Sequence, residues 1–258
     1  MTRADCFARR WGWLCLLGLA AVALLPGLAS LPLLDRDEPR FVRATVEMAE
    51  GDDWVVPTFN GDYRFDKPPL TYWWMGLHFG LFGESEFSAR LHSAFAAWIA
   101  ALGLLGFGGR CFRPVTGLLA GTAFLTTFQV LVHGRLAVAD MPMVAAVVFV
   151  MWAAWELITT RRWQPFGRWF WVLWWAVAIG FLAKGPIVLF VPVLAWLGFS
   201  AVTGQWAFWR HLQPLIGTTF ALLIVALWGF PALGMTGGAF WDVGIGTHIV
   251  ERGTVAFN

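Results

Sequence analysis

Groups of ionisable residues stand at the ends of apolar runs in this chain. They are Asp37-Glu38 with Arg40, Asp66-Lys67 before Pro68-Pro69, Asp140 before Met141-Pro142, Lys184 in Ala183-Lys184-Gly185-Pro186, and His248 in a glycine-rich tail. Carboxylates can take a proton from an attacking hydroxyl. Lys and Arg can hold a phosphate and stabilise charge that grows on it. Carboxylates with a histidine can hold a divalent metal. Singly, each group also has a structural explanation. Asp37-Glu38 and Asp140 can cap helices, Asp66-Lys67 can be a surface ion pair, Lys184 can snorkel from a helix end, and His248 alone says little. Together they are a set of carboxylates, cations and a histidine that could form a pocket for a metal and a phosphate.

The elements that must position them are membrane helices. The chain is 59% hydrophobic and 13% charged, with a mean hydropathy of +0.65. A soluble domain of this size carries about twice that share of charge. Residues 35–90 stand out, because they hold 11 of the 16 acidic residues and both tyrosines. Around them lie apolar runs at residues 11–34, 91–109, 115–132, 141–158, 169–183, 186–202 and 212–234. Each is long enough, or nearly so, to span a bilayer. The fold class expected is therefore all-α: one polytopic membrane domain over residues 1–258 with about seven transmembrane helices. Arg3, Arg9 and Arg10 precede the first run, which is too long for a signal-peptide core and is read as a retained helix.

Within 35–90, two amphipathic juxtamembrane helices are expected. Asp35 or Asp37 caps the first, Glu38 and Pro39 suit its first turn, and Phe41, Val42, Thr45, Val46, Met48 and Ala49 recur at helical spacing. Gly51 is placed to end it. A turn-rich loop follows, and then an aromatic interfacial helix, LTYWWMGLHFGLFG.

Orientation comes from arginine. With the N-terminus in the cytoplasm, Arg3, Arg9, Arg10, Arg110, Arg113, Arg161, Arg162, Arg168 and Arg210 face inward, while short outer connections hold only Arg135 and Lys184. Asp37, Glu38, Arg40, Asp66, Lys67, Arg135, Asp140, Lys184 and His248 then share the outer face. Net charge is only +2 and basic runs are lacking, so nucleic acid is not an expected partner. Cys6, Cys15 and Cys111 match no disulfide framework or metal motif.

Read in order, DRDEPRF, GDDWVVPTFNGDYRFDKPPLTYW, LFGESEFSARL, LAVADMP and FLAKGP resemble the GT-C-fold glycosyltransferases of the ArnT/PMT superfamily. That resemblance implies an enzyme of the bacterial inner membrane that uses a polyprenyl-phosphate-linked sugar donor. It transfers the sugar, with inversion, to a lipid A-like, glycan or protein acceptor at the outer face. It also implies roles: Asp37, Glu38 and Asp140 for catalysis, Arg40, Lys67, Lys184 and Arg252 for the donor phosphate, and Asp66 with His248 for a divalent metal such as Zn, Mg or Mn. Pro39 and Phe41 depart from the family pattern. Relatives continue through further helices, so the resemblance implies an N-terminal fragment or a minimal version.

Two other classes compete. A transporter or flippase of lipid-linked sugars needs ionisable residues near the bilayer centre, whereas here the charges gather at span ends. An inactive fragment acting as a partner subunit would keep the same site residues.

Overall fold

The computed structural model describes residues 2–34, 36–159 and 165–240. Its helices are α1 Arg3–Leu24, α2 Asp37–Glu50, α3 Leu70–Phe82, α4 Glu86–Cys111, α5 Pro114–Thr126, α6 Phe128–His133, α7 Asp140–Thr159, α8 Arg168–Lys184, α9 Phe190–Thr203, α10 Trp209–Leu212 and α11 Pro214–Met235. Among the described residues, five segments are long and apolar enough to cross a membrane: α1, α4, α7, Pro186–Thr203 and α11. The expected spans at 115–132 and 169–183 are helical too, as α5 with α6 and as α8, but each single helix is shorter.

Three limits differ from expectation for local reasons. The first helix starts at Arg3 rather than residue 11, because Thr2 and Asp5 form a capping box at its N-terminus. It stops at Leu24 rather than residue 34, since Pro26 and Gly27 follow and Gly27 has φ +85°. The span at 115–132 breaks at Thr127, which is extended. There the Thr126 and Thr127 hydroxyls donate to the carbonyls of Thr122 and Ala123, competing with the helix for its own acceptors.

The two juxtamembrane helices are α2 and α3, within a residue of their expected limits. Between them, Thr58–Phe59 pairs antiparallel with Asp62–Tyr63. The turn residues Asn60 and Gly61 both have positive φ, 55° and 83°, as a tight two-residue hairpin requires. Glu47 of α2 holds this hairpin, accepting from Thr58 Oγ1 and from the Asn60 and Gly61 amides.

Packing places the polar stretch on one end of the bundle. Phe41, Ala44 and Met48 of α2 meet Tyr72, Met75 and Phe79 of α3 and the Ala137–Ala139 backbone segment before α7. Val56 and the loop after it pack on Leu182 at the end of α8 and on Trp228 and Ala232 of α11. Trp228 Nε1 donates to Val55 O at 2.7 Å, and Trp73 Nε1 to Trp54 O at 2.7 Å. At the other end, Arg113 pairs with Asp5 at 2.7 Å and Arg110 with Glu156 at 3.0 Å.

Candidate active site

The site rests on one buried ion pair. Ser85 and Ser88 cap the start of α4 reciprocally, which sets Arg90 in its second turn. Arg90 is 2% exposed and Glu38 is 0% exposed. Arg90 Nε and Nη2 each donate to a Glu38 carboxylate oxygen at 2.9 Å. The same guanidinium donates to the carbonyls of Leu28, Leu31 and Pro32, all at 2.8 Å. Glu38 also accepts from the Leu34 amide at 2.6 Å and the Ala137 amide at 2.7 Å. One pair therefore clamps the α1–α2 connection, the first turn of α2, α4 and the strap before α7. Glu38 was expected beside Asp37 in catalysis. The structure instead gives both of its oxygens to the scaffold.

Neighbouring groups of α4 fix the same strap. Ser93 Oγ donates to Leu136 O at 2.6 Å, and the His92 ring nitrogens lie 2.8 Å from Ala89 O and 3.1 Å from Val138 O. Arg135 reaches back to Ala23 O. Arg135 is thus tied to the end of α1. Two residues past Val138 the chain delivers Asp140 in the first turn of α7.

Asp140 meets Lys184 there, Oδ1 to Nζ at 2.5 Å, with both side chains partly exposed. The pair joins residues far apart in sequence, and it brings one expected carboxylate to one expected phosphate-binding cation. Phe65, Leu70 and Trp73 pack on the cluster of Val56, Leu182, Trp228 and Ala232, in which Leu182 stands two residues before Lys184, so the Asp66-Lys67 corner approaches the same helix end.

A second cluster surrounds Tyr72. Arg64 Nε donates to Tyr72 Oη at 3.0 Å and Arg64 Nη2 lies 3.2 Å from Asp66 Oδ2. The guanidinium carbon lies over two aromatic rings, 5.6 Å from the Phe41 ring centre and 5.9 Å from that of Phe59. Burial pushes the Tyr72 phenol up to about 12, with Arg64 opposing and the charges of Asp66 and Asp37 adding to the rise. Asp37 and Asp66 thus act on one hydroxyl from two segments. Asp37 is exposed in the first turn of α2, and Arg40, Asp66 and Lys67 are half-buried.

Residue types alone assigned no role to Arg64, Tyr72 or Arg90. The signals were present: Arg64 sits two residues before Asp66, and Tyr72 is one of two tyrosines in the chain. His248 and Arg252 lie outside the described residues. Among the described residues, no group of three or more His, Cys, Asp or Glu is placed to hold a metal. Asp66 has a guanidinium beside it instead. His248, the other ligand that the resemblance implies, is not among the described residues, and no chemical step is derived through a metal.

Two apolar grooves flank the corner. One of about 310 Å³ is lined by Val55, Trp73, Leu182, Ile224, Leu227 and Pro231. Another of about 350 Å³ opens beyond Leu70 and Trp74, toward Ile99, Phe149 and Trp175. Both are open to the bundle surface where lipid would lie.

Residues 66–229 match the family model described as dolichyl-phosphate-mannose-protein mannosyltransferase. An uncharacterized protein of Aquifex aeolicus is 32% identical over 209 residues, covering 78% of this chain and 46% of that protein. The undecaprenyl phosphate-alpha-4-amino-4-deoxy-L-arabinose arabinosyl transferase of Enterobacter sp. is 30% identical over 240 residues, 92% of this chain and 42% of that enzyme. The chain thus spans less than half the length of these curated relatives. The crystal structure of ArnT from Cupriavidus metallidurans bound to undecaprenyl phosphate superposes with a TM-score of 0.83 at 24% identity, over 94% of this chain and 45% of that one. That likeness establishes the fold: a helical GT-C membrane architecture.

Proposed function

The chain belongs to the dolichyl-phosphate-mannose-protein mannosyltransferase family, and on that premise we propose that it serves transfer of a sugar from a polyprenyl phosphate to an acceptor hydroxyl or phosphate. The observation that carries this reading is the convergence of Asp140–Lys184 and Asp37–Arg64–Asp66–Lys67 on one end of the bundle, beside apolar grooves. A donor with a long apolar tail and an anionic head needs that juxtaposition. The acceptor is lipid A-like, a glycan or a protein side chain.

Asp37 is the exposed carboxylate at the site and takes the acceptor proton as its oxygen attacks the anomeric carbon. The bond from that carbon to the phosphate oxygen breaks, and the phosphate leaves with growing negative charge. Lys67, Arg40 and Lys184 stabilise that charge, and they act most strongly where water is excluded. Asp140, already paired with Lys184, aims the ammonium rather than serving as base. Glu38 is a positioning residue through Arg90. Arg252 and His248 remain assigned to phosphate and metal through the resemblance alone.

The polyprenyl tail lies along Trp73, Leu182 and Leu227, where the groove adjoins the Asp66-Lys67 corner. The site faces the outer side of a bacterial inner membrane, with the N-terminus cytoplasmic. Support comes from the arginines of the opposite face, two of which neutralise Asp5 and Glu156. A transporter reading fares worse, because the charged residues buried in the described helices, Asp5, Glu38, Arg90 and Glu156, lie within two turns of a helix end.

The test uses the chain in lipid nanodiscs with undecaprenyl phosphate and the uncharged alcohol undecaprenol. We expect the phosphate to bind at least about tenfold more tightly, and Lys67→Ala to remove most of that difference. Equal binding of the two lipids overturns the reading.

A further inference from the structure

The end of the bundle opposite the Asp66-Lys67 corner combines charge with apolar surface in its own way. The groove of about 350 Å³ is lined on α4, α7 and α8 by Ile99, Phe149, Val172, Trp175 and Ile179. It has no part in the transfer chemistry above. An aromatic path leads out of it: Phe149 meets Trp152 with ring centres 6.1 Å apart, and Trp152 meets Trp169 at 5.1 Å. Trp152 is seated against Gly106 of α4, where a Cβ would come within 2.3 Å of the indole. Its Nε1 donates to Glu156 Oε1 at 3.2 Å, and Arg110 Nε donates to the same oxygen at 3.0 Å. Glu156 is buried, but the Arg110 side chain is 62% exposed. Arg168 is exposed too, and its guanidinium carbon lies over the Trp169 ring at 5.0 Å. Two exposed guanidiniums, from α4 and α8, thus flank one pair of indoles that continues into the groove.

We propose that this groove binds an anionic phospholipid of the leaflet at that end, with its phosphate on Arg110 and Arg168 and an acyl chain along Trp152, Phe149 and Val172. The lengths agree. Val172, Trp175 and Ile179 follow Arg168 on α8 at about 6, 10 and 16 Å along the helix axis. The hydrocarbon of one leaflet is about 15 Å deep, half of the bilayer core. The charges agree as well. Arginine forks match phosphate oxygens and tolerate partial desolvation. Stacking on Trp169 orients the Arg168 plane and leaves its N–H donors for an anion. Glu156 sets one carboxylate against these two cations, and basic pockets between transmembrane helices are suited to anionic head groups. The site is separate from the donor corner, because α8 runs from Arg168 at this end to Lys184 at the other. A lipid seated here ties together α4, α7 and α8, the helices that carry Arg90, Asp140 and Lys184.

Native mass spectrometry of the full chain in detergent tests this, with phosphatidylglycerol and phosphatidylcholine of the same acyl chains as probes. Phosphatidylglycerol is expected to bind about tenfold more tightly. Arg168→Gln leaves the Glu156 contacts in place and should remove much of that preference, and the Arg110→Gln/Arg168→Gln double variant should bind both lipids alike. Arg10→Gln deletes a cation stacked on Trp11 of α1, a helix that does not line the groove, and should change the preference little. Each variant is checked for folding by its thermal midpoint. Phosphatidylglycerol with a diazirine on its acyl chain should label residues 149–152 and 169–175, and excess undecaprenyl phosphate should not displace it. Four results overturn the proposal. They are equal binding of the two lipids by the wild type, a preference that survives Arg168→Gln and the double variant, equal losses from Arg10→Gln and Arg168→Gln, and displacement by undecaprenyl phosphate. The third would mean diffuse charge rather than a site, and the fourth would give the groove to the donor tail. If the double variant misfolds, Arg168→Gln and the label map still decide. Failure of undecaprenyl phosphate to bind anywhere bears on the transfer reading alone.

Discussion

Replacing Arg90 with methionine removes the cation of the buried pair but leaves Glu38. The carboxylate is 0% exposed and keeps only the amides of Leu34 and Ala137, while the carbonyls of Leu28, Leu31 and Pro32 lose their donor. Stranding one member of a buried pair costs about 3–5 kcal/mol. At about 1.4 kcal/mol per tenfold, that is roughly two to three and a half decades in the folded fraction. Leu31 and Pro32 are exposed, so water recovers part of the loss at their carbonyls, though not at that of buried Leu28, and the lower half of the range is expected. Glu38→Met in the same background removes the stranded charge. The double variant should therefore be more stable than Arg90→Met alone, with a departure from additivity of about 2 kcal/mol. Unfolding in mixed micelles, followed by tryptophan fluorescence, measures all three. Additivity within about 0.5 kcal/mol would refute the reasoning, because it would mean that Glu38 and Arg90 do not depend on each other.

Gly117→Ala should lower the thermal midpoint by an amount equivalent to about 1–3 kcal/mol, since a Cβ there meets the backbone carbonyl of Leu105, which cannot give way. Lys184→Met should change stability by less than about 1 kcal/mol, because the Asp140–Lys184 pair is partly exposed, yet weaken undecaprenyl phosphate binding about tenfold. Binding assays on Lys184→Met, Asp140→Asn and the double variant should show that Asp140→Asn adds little once Lys184 is gone. Glu47 supplies a pH dependence. Its burial favours the neutral acid, but bonds from Thr58, Gly61, Asn60 and Arg43 outweigh that and hold it below the usual 4.5. A lowered folded value stabilises above the unfolded one and is lost as pH falls through the folded one. Hydrogen exchange at the Asn60 and Gly61 amides should accelerate below about pH 4.5, and Glu47→Gln should abolish that dependence.

Some of this was legible in the sequence. The helical spacing of Phe41, Thr45 and Met48 defined α2, and the one-ended distribution of charge anticipated the polar face. Gly51 marked the end of α2, although it is Asp52, at φ 50°, that reverses the chain. The Asn60-Gly61 hairpin was hidden inside a loop rich in turn residues. The break at Thr127 depends on side-chain hydroxyls taking backbone acceptors, which hydropathy does not register. The buried pairing of Glu38 was the least legible feature. An acidic pair before an amphipathic helix gives no hint that one member faces water and the other a buried arginine, because the arginine comes from α4. Arg64 was missed for a related reason: its partner Tyr72 becomes a neighbour only when α3 packs on α2.

Transfer from a polyprenyl phosphate requires the Asp66-Lys67 corner and the groove beside Trp73 to receive one lipid. Photo-crosslinking with a diazirine-bearing polyprenyl phosphate in nanodiscs, mapped by mass spectrometry, tests this directly. Adducts from a head-proximal label should fall on residues 64–74 and 182–184, and those from a tail label on Leu227, Trp228 and Pro231. Labelling spread evenly along lipid-facing α9, or concentrated at the Arg110–Glu156 end, would contradict it.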